Sequence, residues 1–188
     1  MGLRTIADHI LDVAQNGVEA EAENLKVEVS EDTENGRLVF SVEDDGKGMD
    51  EETLQRALDP FYSSKTVRRK RVGLGLPFLR QAAEATGGRF QIESEPRKGT
   101  RVRAEFFVRH IDCQPLGDLV GSFVVLLATP GVRVMIRRLK GDEGYEIDNG
   151  KLDALLGKEW RSDPVKLKLL YNMINELESA LPTSKPSP

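Results

Sequence analysis

Asp44-Asp45-Gly46-Lys47-Gly48-Met49 is the stretch on which the reading of this chain turns. It follows directly on the apolar run Leu38-Val39-Phe40-Ser41-Val42, so an acidic side chain stands at a strand end with two glycines behind it. A carboxylate there can accept a hydrogen bond from an exocyclic amine such as the amino group of adenine. Glycines at 46 and 48 let the backbone approach a flat ring and adopt angles closed to other residues. Alone, the stretch reads equally well as a plain loop, because Asp-Gly pairs are frequent turn makers.

The flanking sequence separates the two readings. Leu3, Ile6, Ile10, Val13 and Ala14 recur at three- and four-residue spacing, the apolar stripe of an amphipathic helix from about residue 3 to 22. Asp12 and Asn16 lie one turn apart on one face of it, where a carboxylate and a carboxamide can orient a water and hold one magnesium ligand. Leu25, Val27 and Val29 alternate with polar residues as a half-buried strand, and Asn35-Gly36 is a tight-turn signal leading back into 38–42. Beyond the loop, Asp50 to Leu58 reads as a short helix behind an acidic cap, and Asp59-Pro60-Phe61 ends it. Residues 62–72 read as an exposed loop, and Leu74 to Thr86 as a helix stopped by Gly87-Gly88. That helix opens on Gly73-Leu74-Gly75-Leu76, whose amides and dipole make a phosphate cradle. Phe90, Ile92 and Ser94, then Val102, Ala104, Phe106 and Val108, give two more strands. The pattern predicts an α+β protein, a two-layer α/β sandwich with helices on one face of a mixed, mostly antiparallel sheet.

Asp12–Asn16, Asp44-x-Gly46-x-Gly48, Asp59-Pro60-Phe61-Tyr62-Ser63-Ser64-Lys65 and Gly73-x-Gly75, in that order, resemble the gyrase, heat-shock chaperone, histidine kinase and MutL (GHKL) ATPase superfamily. The resemblance covers residues 3 to about 108. Gly73-Leu74-Gly75-Leu76-Pro77-Phe78, continuing to Gly87-Gly88, Glu93-Ser94-Glu95 and Gly99-Thr100, looks most like a histidine-kinase catalytic domain, while Asn16-Gly17-Val18-Glu19-Ala20 looks closer to the MutL and gyrase style. What the resemblance implies is the Bergerat ATP-binding fold with ATP and Mg2+ as cofactors. Asn16 would then ligate magnesium, and Asp12 would occupy the place of the water-activating acid. Asp44 would read the adenine amino group, with Thr100 supporting the base through a water. Gly46, Gly48 and Met49 would line the base, Gly73, Leu74, Gly75 and Leu76 the phosphates, and residues 62–72 with Lys65 would form the lid. Two features depart from the pattern. The acid is usually Glu in hydrolytic members, and the lid is short and basic. Lys65 and Arg68 to Arg71 grip the triphosphate, dock an acidic partner, or are merely solvated. His9 faces the nucleotide's edge or is a structural histidine.

After His110 the character changes. Residues 1–109 form the ATP-binding domain, 110–181 a small C-terminal α/β extension, and 182–188 a disordered tail. In the extension, Pro115 to Thr129 is an apolar helix candidate, and Val132 to Leu139 and Tyr145 to Asp148 can pair as strands. Lys151 to Leu156 and Asp163 to Leu181 read as further helices. Gly117 to Ala128 either completes the core or forms a homodimer face.

The 188 residues carry 27 basic and 31 acidic side chains, a net charge of −4, which disfavours general nucleic-acid binding. No apolar run approaches the ~20 residues of a membrane span, and the acidic residue at position 8 comes too early for a secretion signal. One cysteine, Cys113, excludes an intrachain disulfide, and its default role is a packed thiol. A cytoplasmic protein is expected. The phosphoacceptor hairpin of a sensor kinase is not visible, so a kinase would act in trans on a separate protein partner. The other classes are an ATP-gated switch or ATPase that controls partner binding without phosphotransfer, and a degenerate binder.

Overall fold

A computed structural model describes residues 3–60 and 74–182. Lys65, the basic run Arg68 to Arg71, Gly73 and residues 183–188 of the expected tail therefore lie outside the described residues.

Helix α1 spans Ile6–Glu19, shorter at both ends than the apolar stripe suggests. Thr5 caps its start: the hydroxyl accepts from the Asp8 amide while the Asp8 carboxylate accepts from the Thr5 amide. Strands β1 (Asn24–Asp32) and β2 (Arg37–Asp44) follow as an antiparallel pair. Their connection is a four-residue loop, because Asp32 pairs with Arg37 and accepts from the Asn35 amide at 3.0 Å. Helix α2 (Glu51–Leu58) sits outside with no buried residue. Helix α3 (Gly75–Ala85) leads to strands β3 (Arg89–Glu95) and β4 (Gly99–Phe107).

The chain from 110 onward joins the same sheet. Helix α4 covers only Leu119–Ala128, because Asp118 caps it through the Gly121 amide and Gly117 just before it has φ +79°, outside the helical region. Strand β5 (Arg133–Lys140) runs parallel to β1, and β6 (Glu143–Asp148) pairs antiparallel with β5. Helix α5 (Asn149–Leu156), a 3-10 turn at Lys158–Ser162 that periodicity did not signal, and helix α6 (Pro164–Ala180) complete the described chain. The sheet order is β3-β4-β2-β1-β5-β6, and every described pairing is antiparallel except β1 with β5.

Strand alternation sends Leu25, Val27, Val29, Leu38, Phe40, Val42, Val102, Ala104, Phe106, Val134 and Ile136 to one face, all buried. They pack on Ile6, Ile10 and Val13 of α1, Leu79 and Ala83 of α3, and Phe123 and Leu127 of α4 in one cluster. Phe40 and Phe106 stack with ring centres 6.2 Å apart. The apolar helix Leu119–Ala128 thus completes the core, which settles one of the two readings its sequence left open. The opposite sheet face carries Glu28, Ser30, Ser41 and Arg103, with an Arg37–Glu105 ion pair at 2.9 Å. Polar outside and apolar inside, the sheet needs only one helical layer.

Candidate functional site

The sheet end where β2 stops is covered by the last turns of α1, the opening of α3 and the loop Asp45 to Met49. Its residues reach it from four separate elements.

Asp44 ends β2 opposite Thr100 of β4. Its Oδ1 accepts from the Gly46 amide at 2.9 Å. Burial pushes the Asp44 carboxyl above its ordinary 3.8; the Gly46 and Thr100 amides pull it back in part, and neighbouring Asp45 and Glu43 push it up again. Asp45 has the opposite task. Its Oδ1 accepts from the Glu23 and Asn24 amides, each at 2.8 Å, and its Oδ2 from the Asn24 side chain at 2.7 Å. Burial opposes ionisation of Asp45 but the Asn24 contacts outweigh it, so its carboxyl is lowered. Adjacent aspartates thus divide the work: Asp45 closes the α1–β1 turn, and Asp44 is held at the strand end by the Gly46 and Thr100 amides.

The glycine loop is pinned on both sides. Lys47 donates to the Ala20 carbonyl at 3.0 Å, and the Arg97 amide donates to the Lys47 carbonyl at 2.8 Å. Gly48 has φ +60°, and a Cβ there would overlap the Glu95 carbonyl. Met49 donates to Ser94 Oγ at 2.8 Å, and Ser94 Oγ shares a hydrogen bond with Thr100 Oγ1 at 2.9 Å. Ser94 therefore ties loop to strand, a role that a serine in an alternating strand does not signal by sequence alone. Gly17 was also missed. It is buried within α1, and a Cβ there would stand 2.9 Å from the Asp44 Cβ and 3.2 Å from its Oδ2. A glycine inside a helix costs about 1 kcal/mol against alanine, which is the signal that could have found it.

On α1, Asp12 is half-buried and Asn16, one turn on, is exposed. Asp12 Oδ2 is shut from solvent and takes no hydrogen bond from any described residue. Burial, then the charge of Glu19, pushes the Asp12 carboxyl above 3.8. The same oxygen lies against Gly75, where a Cβ would overlap it, so Asp12 and the α3 opening are in direct contact. Five of the described α-helices begin on a side-chain cap: Thr5, Asp50, Asp118, Asp148 and Asp163. Helix α3 begins on Leu74, which offers none and has no acidic residue in its first turn. Its opening amides receive no side-chain cap among the described residues, and such a helix opening can accept an anion. Gly75 and Leu76 are buried and Leu74 is exposed at that opening.

The structure thus sets Asp12 against Gly75 and links Asp44, Gly46, Met49 and Thr100 through the loop and strand contacts, with Gly48 packed on Glu95; Asn16 is exposed one turn from Asp12, and Leu74 and Leu76 flank Gly75. Lys65 and Gly73 fall outside the described residues. His9 turns away toward the chain after β4: it is 1% exposed, and its Nε2 meets Gln114 Oε1 at 3.0 Å. Burial lowers its pKa, with Gln114 and Asp8 opposing, so the ring is neutral at pH 7. Cys113 is half-buried with its thiol pushed up by burial, which disfavours a nucleophilic thiolate.

These residues fit a magnesium–nucleotide complex. Among the described residues, a buried carboxylate oxygen without a hydrogen-bond partner and a helix opening without a side-chain cap are the parts such a ligand would meet, and the glycines let the backbone segments around them pack closely. Among the described residues no group of three or more His, Cys, Asp or Glu could hold a metal by itself.

A family model described as Histidine kinase-, DNA gyrase B-, and HSP90-like ATPase matches residues 1–110. Sporulation kinase D of Bacillus subtilis (strain 168) is 38% identical over 93 residues, 50% of this chain and 18% of that protein. The cell-division control histidine kinase PdhS of Brucella ovis is 35% identical over 115 residues, 55% of this chain and 11% of that kinase. The chain spans only a small part of either relative's length. Among solved structures, the Aquifex aeolicus MutL ATPase domain complexed with ADP superposes with a TM-score of 0.51 at 11% identity, over 89% of this chain and 70% of that one. That likeness concerns the fold. Among the described residues no helix is long and apolar enough to cross a membrane.

Proposed function

This chain belongs to the Histidine kinase-, DNA gyrase B-, and HSP90-like ATPase family, and from that premise we propose that it binds Mg-ATP and phosphorylates a separate protein in trans in a cytoplasmic setting. The observation that carries the reading is Asp12: a carboxylate oxygen without a partner among the described residues, pressed against the one described α-helix that lacks a side-chain cap.

In this reading Asp44 accepts a hydrogen bond from the adenine amino group, and Thr100 supports the base through a water. Gly46, Gly48 and Met49 bound the ring, and the α3 amides at Gly75 and Leu76 hold phosphate oxygens. Gly73 and Lys65 extend the phosphate contacts. Asn16 holds magnesium, which when bound offsets the charge on the phosphates. Asp12 takes the proton of an acceptor hydroxyl as that oxygen bonds to the γ-phosphorus, and ADP departs with the bridging oxygen. A carboxyl raised above its ordinary value is a better proton acceptor. Asp12 is one methylene shorter than the usual glutamate and reaches less far toward a water, which favours transfer to a positioned protein group over hydrolysis.

A second reading, an ATP-gated switch without phosphotransfer, is favoured by one contact. The Ile6 and Ala7 amides donate to the Pro115 and Leu116 carbonyls at 3.0 and 2.9 Å, so the helix bearing Asp12 is tied to the C-terminal part. Partner capture with and without ATP, followed by transfer from γ-labelled nucleotide, separates the two. Label on a captured protein, lost in Asp12→Asn, supports the kinase. Nucleotide-dependent capture without label supports the switch, and neither result would overturn both. Asp44→Asn should weaken ATP binding by roughly 1–3 kcal/mol, the cost of a mismatched buried hydrogen bond; equal calorimetric affinities would remove the adenine assignment.

A further inference from the structure

Helix α6 is apolar on two sides. Leu170 and Ile174 enter the core, with Leu167 and Leu177 half-buried beside them. Glu178, on the same inner side, accepts from Arg138 Nε at 3.0 Å and from the Tyr145 hydroxyl at 2.6 Å, so the helix is held firmly on the sheet. Its outer face would ordinarily be polar. Instead Val165, Leu169 and Met173 follow at four-residue spacing with 76%, 60% and 40% of their surface exposed. Lys166 Nζ donates to the Leu156 carbonyl at 2.8 Å, which brings the end of α5 beside the start of this row and adds Leu155, 79% exposed. A rigid helix presenting such a row marks a contact surface.

The charges around the row say what covers it. Lys166 and Lys168 flank its N-terminal half, and Glu176 closes its C-terminal half. Lys168 and Glu176 are exposed, and neither forms an ion pair among the described residues. A helix basic at one end, acidic at the other and apolar between is complementary to itself reversed, as an isologous two-fold contact requires. We propose that α6 is the dimer interface of this protein, pairing antiparallel with α6 of a second copy about an axis near Tyr171 and Asn172. That axis sets Leu169 against the partner's Met173 and brings Lys168 to the partner's Glu176. The face is formed by α5 and α6, neither of which carries a residue of the candidate nucleotide site.

Sedimentation of the whole chain over a concentration series tests this, with ADP binding and thermal unfolding as checks on the fold. A reversible dimer is expected. Leu169→Glu should make it monomeric while leaving ADP affinity, and unfolding at concentrations below the dimer Kd, unchanged, since the side chain is exposed. Lys168→Glu and Glu176→Lys should each weaken the dimer about tenfold, because each places like charges together twice. Mixing those two variants should restore wild-type association, since each then supplies the charge the other lacks. A monomer at every concentration, a dimer indifferent to Leu169→Glu, or no recovery on mixing would overturn the proposal.

Discussion

Asp12 and Asp44 are carboxyls that the fold holds above their ordinary value of 3.8, both chiefly by burial. A folded-state pKa above the unfolded one means that the unfolded chain releases its proton first as pH rises. The stability that goes with the protonated form is complete below 3.8 and is lost as pH climbs through the raised value. At neutral pH each ionised carboxylate therefore costs the ligand-free protein stability. Asp12→Asn and Asp44→Asn should raise its thermal midpoint by roughly 1–4 °C at pH 7, with the gain shrinking as pH falls toward 3.8. Melting curves at stepped pH check this, and a gain independent of pH would contradict it. Gly17 belongs to the same scale. Gly17→Ala gains helix propensity of about 1 kcal/mol but places a methyl 2.9 Å from the Asp44 Cβ. The two effects oppose each other in stability, so the expected loss is in the site: ADP affinity falls about tenfold or more while the fold persists, as calorimetry would show.

Among elements, α3 carries the clearest mark of function. It opens at Leu74 without the side-chain cap that the other five described α-helices carry. Leu74→Asp would supply the missing acceptor and stabilise the ligand-free protein by about 0.5–2 kcal/mol. The same carboxylate would repel phosphate and occupy its donors. Denaturant midpoint and ADP affinity should therefore move in opposite directions. If both rose, the α3 opening would not be a phosphate site. The glycine loop is the complementary element, rigid because Ala20, Ser94 and Arg97 hold its backbone from both sides.

Across the whole molecule, the part after residue 110 is bound into the ATPase part by β5 lying along β1 and by the two amides at the start of α1. Arg138, 1% exposed, extends that union. It points inward from β5 to the carboxylates of Glu31 and Glu178 and to the Leu139 carbonyl. Glu178 also receives the Tyr145 hydroxyl, whose pKa burial and that bond push far above its usual range. Glu178→Ala strips the hydrogen bonds from both Arg138 and Tyr145 at once and leaves Arg138 with Glu31 as its remaining carboxylate. The expected cost is about 2–4 kcal/mol in urea unfolding, because a buried charge that loses a partner keeps its desolvation penalty. A cost near zero would mean that α6 is held by packing alone.

Local rules made much of this legible in the sequence. Alternation along β1, β2, β4 and β5 and the stripe on α1 depend on neighbours a few residues apart, and so do the glycine pairs and aspartate caps. The order of Asp12, Asn16, Asp44 and the glycine loops carried the family with it. What depends on distant partners was not legible. The parallel pairing of β1 with β5, the contact of Asp12 with Gly75 and the space Gly17 leaves for Asp44 each join residues remote in the chain. Whether an apolar helix is core or surface is likewise decided by what packs on it. Helix α4, apolar enough by composition for either role, is buried against α1, and the exposed row belongs to α6. Side-chain type and spacing fix which faces are apolar; only the assembled sheet decides which of those faces find a cover within the chain.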